Sequence, residues 1–120
     1  MDAPVDLVIF GASGDLAQRK ILPSLGRLLA REGTRVRVVG AGRSEKSTDE
    51  FRRMVDDAGS NHQLAAGAEW ISLDYSEPAT FAPLKDMLAG SPCVIFYLAT
   101  PPETFSDIVA AIVASGLTTR

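Results

Sequence analysis

The sequence is poor in the residues that build covalent and metal-held sites. Cys93 is the single cysteine among 120 residues. An internal disulfide and a cysteine-held metal cluster are both excluded. Set in Pro92-Cys93-Val94-Ile95, its thiol is expected to act as a small buried hydrophobe. His62 is the single histidine, in a segment from Gly59 to Gly67 that reads as a loop. With no carboxylate or serine constellation around it, it is expected to be a solvated loop residue, and no catalytic residue is assigned. Long apolar runs are missing too. The N-terminus carries Asp2 and Asp6 and no basic segment, and Leu7 to Phe10 is far too short for a signal peptide or a membrane span. The expected setting is a reducing cytoplasm. A basic excess is absent: 12 Lys and Arg stand against 15 Asp and Glu, a formal net charge of -3. Nucleic acid and anionic membrane are therefore not expected as partners. There is no internal repeat and no low-complexity tract.

What remains is the composition of a soluble globular chain, 46% hydrophobic and 22% charged. Its length suits one domain, burying roughly two thirds of its unfolded surface. Four apolar runs alternate with longer amphipathic ones: Leu7 to Phe10, Val36 to Val39, Trp70 to Leu73 and Val94 to Leu98. Short β-branched and aromatic runs bounded by Gly, Pro or Asp read as strands. The first and fourth are apolar at nearly every position, as expected of parallel strands covered on both faces. Between the runs, residues 14 to 31 place Leu16, Ile21, Leu25, Leu28 and Leu29 on one helical stripe. Ser47-Thr-Asp-Glu50 has the form of a capping box for a helix reaching about Asp57. A third helix is expected over residues 79 to 89. A fourth, over 103 to 115, carries Phe105, Ile108, Val109, Ile112 and Val113. Strand-helix alternation predicts a parallel sheet. Pro23 should kink or break the first helix by crowding the carbonyl of Arg19. That bend is either simply tolerated or aims Lys20 at a ligand.

Gly11-Ala-Ser-Gly14 lies where the first strand ends and the first helix begins. Gly11 permits a tight turn, and Gly14 lets backbone approach a ligand. The helix start offers unpaired N–H groups to a pyrophosphate. Ala17 takes the third place, where a small residue allows close packing of helix on strand. The pattern G-x-x-G-x-x-A in this strand-turn-helix context points to a dinucleotide. The second strand ends Val39-Gly-Ala-Gly-Arg43-Ser44, with no acid for a ribose hydroxyl. Arg43 and Ser44 offer a guanidinium fork and a hydroxyl to a 2′-phosphate, which selects NADP over NAD. Glu45 would blunt that preference if it turned inward. The predicted architecture is a Rossmann-like, doubly wound α/β sheet in a three-layer sandwich, with strand order 3-2-1-4.

Three segments together resemble the coenzyme domain of the glucose-6-phosphate dehydrogenase family. They are Gly11-Ala-Ser-Gly-Asp-Leu-Ala-Gln-Arg-Lys-Ile-Leu-Pro-Ser-Leu25, Val39-Gly-Ala-Gly-Arg-Ser44 and Phe96-Tyr-Leu-Ala-Thr-Pro-Pro102. The resemblance runs over nearly the whole chain, with a shorter Gly59 to Gly67 region. It departs at Gln18, where the family often has a basic residue, and at Thr100, where it usually has an aliphatic one. It implies that the turn from Gly11 to Ala17 holds the NADP pyrophosphate, lined by Ser13, Asp15 and Leu16. It sets Arg43 and Ser44 at the 2′-phosphate and Lys20 between coenzyme and sugar phosphate. Ala99, Thr100 and Pro101 fall beside the nicotinamide.

The family's Glu-Lys-Pro-Phe-Gly and Arg-Ile-Asp-His-Tyr-Leu-Gly-Lys motifs, which bind sugar phosphate and supply the catalytic base, do not occur in these residues. The expectation is therefore a dinucleotide-binding domain over residues 1 to 120 without the substrate domain. Such a chain binds NADP(H), and meets glucose 6-phosphate only when completed. The alternative is a non-catalytic module that senses or buffers NADP(H). A short-chain reductase is excluded, because neither Tyr75 nor Tyr97 is followed four residues on by lysine. An uncovered fourth strand, Val94 to Leu98, further predicts a homodimer or larger assembly joined through the fourth strands or the helices beside them.

Overall fold

The structure, a computed structural model, describes residues 4–32, 35–58 and 62–117, with the side chains of residues 28–32 outside the description. The side chains of Leu28 and Leu29 of the expected stripe therefore lie outside the description, as do Asp2 and Gly59 entirely. Strands β1 (Val5–Phe10), β2 (Val36–Gly42), β3 (Glu69–Ser72) and β4 (Val94–Leu98) form one sheet in the order β3-β2-β1-β4. Every pairing is parallel, with Leu7 opposite both Val38 and Ile95. The expected strand order is the one observed.

Alternate residues of the central strands enter two cores. Val8, Phe10, Val39, Ala41 and Ile71 face α4 (Ala82–Leu88) and α5 (Phe105–Ala114). Ile9, Val38 and Trp70 face α1 (Leu22–Glu32), α2 (Thr48–Asp57) and α3 (His62–Ala66). The sheet thus separates two helical layers. At the entry to β1, buried Asp6 accepts hydrogen bonds from Arg37 Nε and Nη2 at 2.9 and 3.0 Å. Arg37 also donates to the Met87 carbonyl at 2.9 Å, so one guanidinium ties β1, β2 and α4 together.

The capping box of α2 forms as expected. Glu50 N donates to Ser47 Oγ and Ser47 N to Glu50 Oε1, both at 3.0 Å. These contacts, the Ser47 amide foremost, hold the Glu50 carboxyl below its ordinary value. Phe51 and Val55 are buried one turn apart. The kink expected at Pro23 takes the form of a π-helical turn over Ala17–Ile21, closed by the Leu22 N–H donating to Ala17 O. The extra residue widens the turn where Pro23 has no amide and its ring would meet the Arg19 carbonyl. It also rotates the helical phase, which corrects the expected stripe. Leu22 is fully buried, Ile21 and Leu25 are partly buried, and Leu16 is 47% exposed.

Other expectations are corrected as well. The Gly59 to Gly67 segment contains the short helix α3, which buries Leu64 and Ala65. His62 opens that helix, and its Nδ1 lies 2.8 Å from Asp56 Oδ1, so it has a carboxylate neighbour while remaining solvated. Cys93 is half-buried rather than buried, because it precedes β4 at the sheet margin. β4 is covered on one face only: Val94, Phe96 and Leu98 pack on the core, while Ile95 and Tyr97 are 48% and 42% exposed. α5 buries Ile108 and Ile112 and leaves Phe105, Val109 and Val113 exposed.

Candidate functional site

The carboxyl ends of β1, β2 and β4 bring the sequence-predicted residues to one edge. Gly11 turns the chain with φ +79°. A Cβ there would stand 2.8 Å from Thr100 Cγ2 and 3.0 Å from Ala99 O. The glycine is therefore the point where the β1 turn and the β4 turn touch. The Gly11 N–H donates to Ala41 O and the Ala99 N–H to Phe10 O, which binds the ends of three strands together. Sheet order reverses between β1 and β4, and ligands of open α/β sheets sit in that crevice.

Gly14 closes the turn by donating to Gly11 O at 3.0 Å. A Cβ at Gly14 would meet only that oxygen, at 3.3 Å, and the residue is exposed. A side chain here would press on that one turn oxygen and nothing else, so the outer side of the turn is open to a close approach. Ala17 is fully buried against the sheet, as its small size in the motif implies. The turn from Gly11 to Ala17 thus fits a dinucleotide pyrophosphate. Gln18, seen in sequence only as a departure, donates from Nε2 to Ser13 O at 2.8 Å and braces that turn. Asp15 and Arg19 lie 4.0 Å apart with both side chains in solvent, a pair that contributes little. Lys20 is exposed on the π-turn.

At the end of β2, Arg43 and Ser44 are exposed. The Ser44 carbonyl accepts from Ser72 Oγ at 2.8 Å and from Trp70 Nε1 at 3.3 Å. Trp70 in turn packs where a Cβ on Gly40 would come within 2.8 Å of it. Trp70 and Ser72 thus fix the backbone that carries Arg43. The guanidinium carbon of Arg43 sits 5.9 Å from the ring centroid of Tyr75. Tyr75 is buried, and burial raises its phenol above the ordinary value against the opposing pull of Arg43 and of the Gly11 amide. Asp74 is held low, first by the Ser76 hydroxyl and amide and also by Arg43. On the β4 side, the Thr104 hydroxyl lies 2.7 Å from Pro101 O and 2.6 Å from the Thr100 hydroxyl. Its single proton serves the carbonyl, so Thr100 donates to Thr104.

Sequence reasoning missed Tyr75, Trp70, Ser72 and Thr104. The rule that ligands gather at carboxyl ends of strands would have pointed to Tyr75, three residues past β3. A cleft of about 670 Å³ runs from Gln18 and Arg19 to Lys46 and Arg53 beside this edge. A second cavity of about 610 Å³, between Lys85 and Pro92, opens at the opposite end of the sheet. Among the described residues no cluster of His, Cys, Asp or Glu could hold a metal ion, and no helix is long and apolar enough to cross a membrane.

An open doubly wound sheet with a glycine turn at its switch point defines a dinucleotide-binding domain of the Rossmann class. The family described as "Glucose-6-phosphate dehydrogenase, NAD binding domain" matches residues 8–120, and the chain belongs to that family. A glucose-6-phosphate 1-dehydrogenase of Rhizobium meliloti is 35% identical over 98% of this chain and 27% of its own length. That of Mycolicibacterium smegmatis is 31% identical over 98% of this chain and 28% of its own length. The solved glucose-6-phosphate 1-dehydrogenase of Mycobacterium avium superposes with a TM-score of 0.84 at 25% identity, covering 100% of this chain and 29% of that one. A glucose-6-phosphate dehydrogenase in complex with glucose-6-phosphate gives 0.86 at 23% identity, covering 95% and 28%, and shows the shared fold. The chain therefore spans about a quarter of the length of the curated relatives it matches.

Proposed function

We propose that residues 1–120 are the NADP-binding domain of a glucose-6-phosphate dehydrogenase. The observation that carries this reading is the gathering of the Gly11 turn, Arg43 and the Ala99–Pro101 turn at one sheet edge, with Arg43 where an acid would select NAD. In this reading Gly11, Ser13, Gly14, Asp15 and Leu16 hold the pyrophosphate. Arg43 and Ser44 hold the 2′-phosphate, and Ala99, Thr100 and Pro101 border the nicotinamide. Bound NADP supplies the hydride acceptor for oxidation of glucose 6-phosphate to 6-phosphogluconolactone. Lys20 faces the sugar phosphate. Loss of hydride from C1 also requires a base for the hydroxyl proton. His62, on α3 beside Asp56, is not assigned that task, so the base and most sugar contacts come from outside these residues.

A second reading, a module that binds NADP(H) without chemistry, is favoured by the same lack of a base in the cradle. The chain mixed with glucose 6-phosphate and NADP is expected to form no NADPH at a dehydrogenase rate. Turnover abolished by Lys20→Ala would overturn the division of labour. Coenzyme choice is tested by calorimetry. Arg43→Ala is expected to weaken NADPH about 10- to 150-fold, the worth of one charged hydrogen bond, and to leave NADH nearly unchanged. Equal losses would refute the role of Arg43. We assign the protein to the cytoplasm, where Cys93 stays a thiol. A second copy of the chain, joined through β4 or the helices beside it, is its proposed partner, supported by the uncovered face of that strand where Ile95 and Tyr97 are exposed.

A further inference from the structure

Tyr75 lies between the strand that leads into the Gly11 turn and the residue that follows β2. Its ring stands under the Arg43 guanidinium at 5.9 Å, and it meets the Phe10 ring edge-on at 6.1 Å. A Cβ on Gly42 would lie 4.0 Å from its hydroxyl oxygen, so the end of β2, one residue before Arg43, packs beside the phenol. We propose that Tyr75 is a positioning residue for coenzyme choice: its ring, held edge-on by Phe10, holds Arg43 where the ribose phosphate is read. This rests on the reading of Arg43 as the 2′-phosphate ligand.

An arginine free in solvent samples many rotamers, and fixing it on binding costs entropy. A guanidinium already resting on a ring face has lost part of that freedom. Ring and cation attract because the aromatic face is negative. Phe10 holds the ring from the core side, and burial under the β2 end keeps it from turning away. The residue thus acts on NADPH through Arg43 and on NADH hardly at all.

The test compares the NADPH-to-NADH affinity ratio by calorimetry in the 120-residue chain. That ratio is insensitive to any unfolded fraction, because both affinities are scaled alike. Tyr75→Phe keeps the ring and is expected to keep the ratio within about twofold. Pentafluorophenylalanine at position 75 has nearly the same shape but a reversed ring face. It is expected to lower the ratio about two- to fivefold relative to Tyr75→Phe, the worth of an exposed cation–π contact. Tyr75→Leu should lower it similarly. A ratio unchanged between phenylalanine and its fluorinated form overturns the proposal. Arg43→Ala separates the two levels. If it abolishes the preference while fluorination does not, Tyr75 alone is misassigned. If it leaves the preference intact, the reading of Arg43 fails, and that of Tyr75 with it.

Discussion

Gly11 and Gly14 stand three residues apart in one motif, yet alanine should act on them through different physics. At Gly11 φ is +79°, a region that costs a non-glycine residue about 1–2 kcal/mol. The new methyl would also stand 2.8 Å from Thr100 Cγ2 and 3.0 Å from Ala99 O. Thr100 is held by its bond to Thr104, and the Ala99 carbonyl is backbone, so neither withdraws easily. Overpacking of that kind adds about 1–3 kcal/mol. The expected loss is about 2–5 kcal/mol, which in a domain of this size lowers the melting temperature by roughly 8–20 °C. At Gly14 the backbone is ordinary and the nearest atom to a Cβ is 3.3 Å away. Stability should change by less than about 1 kcal/mol. The methyl instead stands on the open side of the turn and blocks a phosphate from the backbone amides. Losing one charge-assisted hydrogen bond there weakens NADPH about 10- to 150-fold. Thermal melts and calorimetric titration of both variants check this. A Gly14→Ala protein that melts about 10 °C low with full affinity would refute the reasoning, as would a Gly11→Ala protein with an unchanged melt.

Asp6→Ala leaves Arg37 without its two carboxylate contacts and should destabilise the fold by about 2–3 kcal/mol, below the fully buried range because Arg37 is partly exposed; urea titration measures it. Asp74, held below its usual 3.8 by Ser76, contributes stability that is present above 3.8 and lost as pH falls through the lower folded value. Ser76→Ala raises that folded value, so the acid decline in melting temperature should begin at higher pH; an unshifted acid limb would show that the contact has no effect in solution. Light scattering at rising concentration should show association that Ile95→Lys suppresses, and a wild-type chain that stays monomeric throughout would sink the proposed second-copy contact.

The strands were legible because each is a short apolar run with its own boundaries; alternation with helices made them parallel, and the order came with the Rossmann-like architecture that the glycine turn pointed to. The α2 cap was legible because Ser47 and Glu50 carry it within four residues. α3 was not, since five residues with two buried side chains give too little periodicity to register. The stripe through Leu16 failed because a π-turn shifts helical phase, and a straight 3.6-residue period cannot anticipate one. The α5 stripe named apolar positions correctly but could not say which the fold covers. The positions of Gly11, Arg43 and Thr100 at the carboxyl ends of strands were readable from motif and strand ends, and the structure brings them to one sheet edge. Tyr75 and Trp70 were not, because their roles depend on β2 lying beside β3, which brings residues far apart in sequence into contact.

The touch between Gly11 and the Ala99–Thr100 turn also bears on how the protein is made. Synthesis runs from the N-terminus, so β1, β2 and β3 leave the ribosome before β4. A nascent chain that ends before Val94 can pair its first three strands, but Gly11 then has no wall beside it. Half of the cradle is missing until β4 slides in and the Ala99 N–H reaches Phe10 O. A ligand that touches both turns would therefore stabilise only molecules in which β4 has docked, and would link its own binding to the last strand pairing of the sheet.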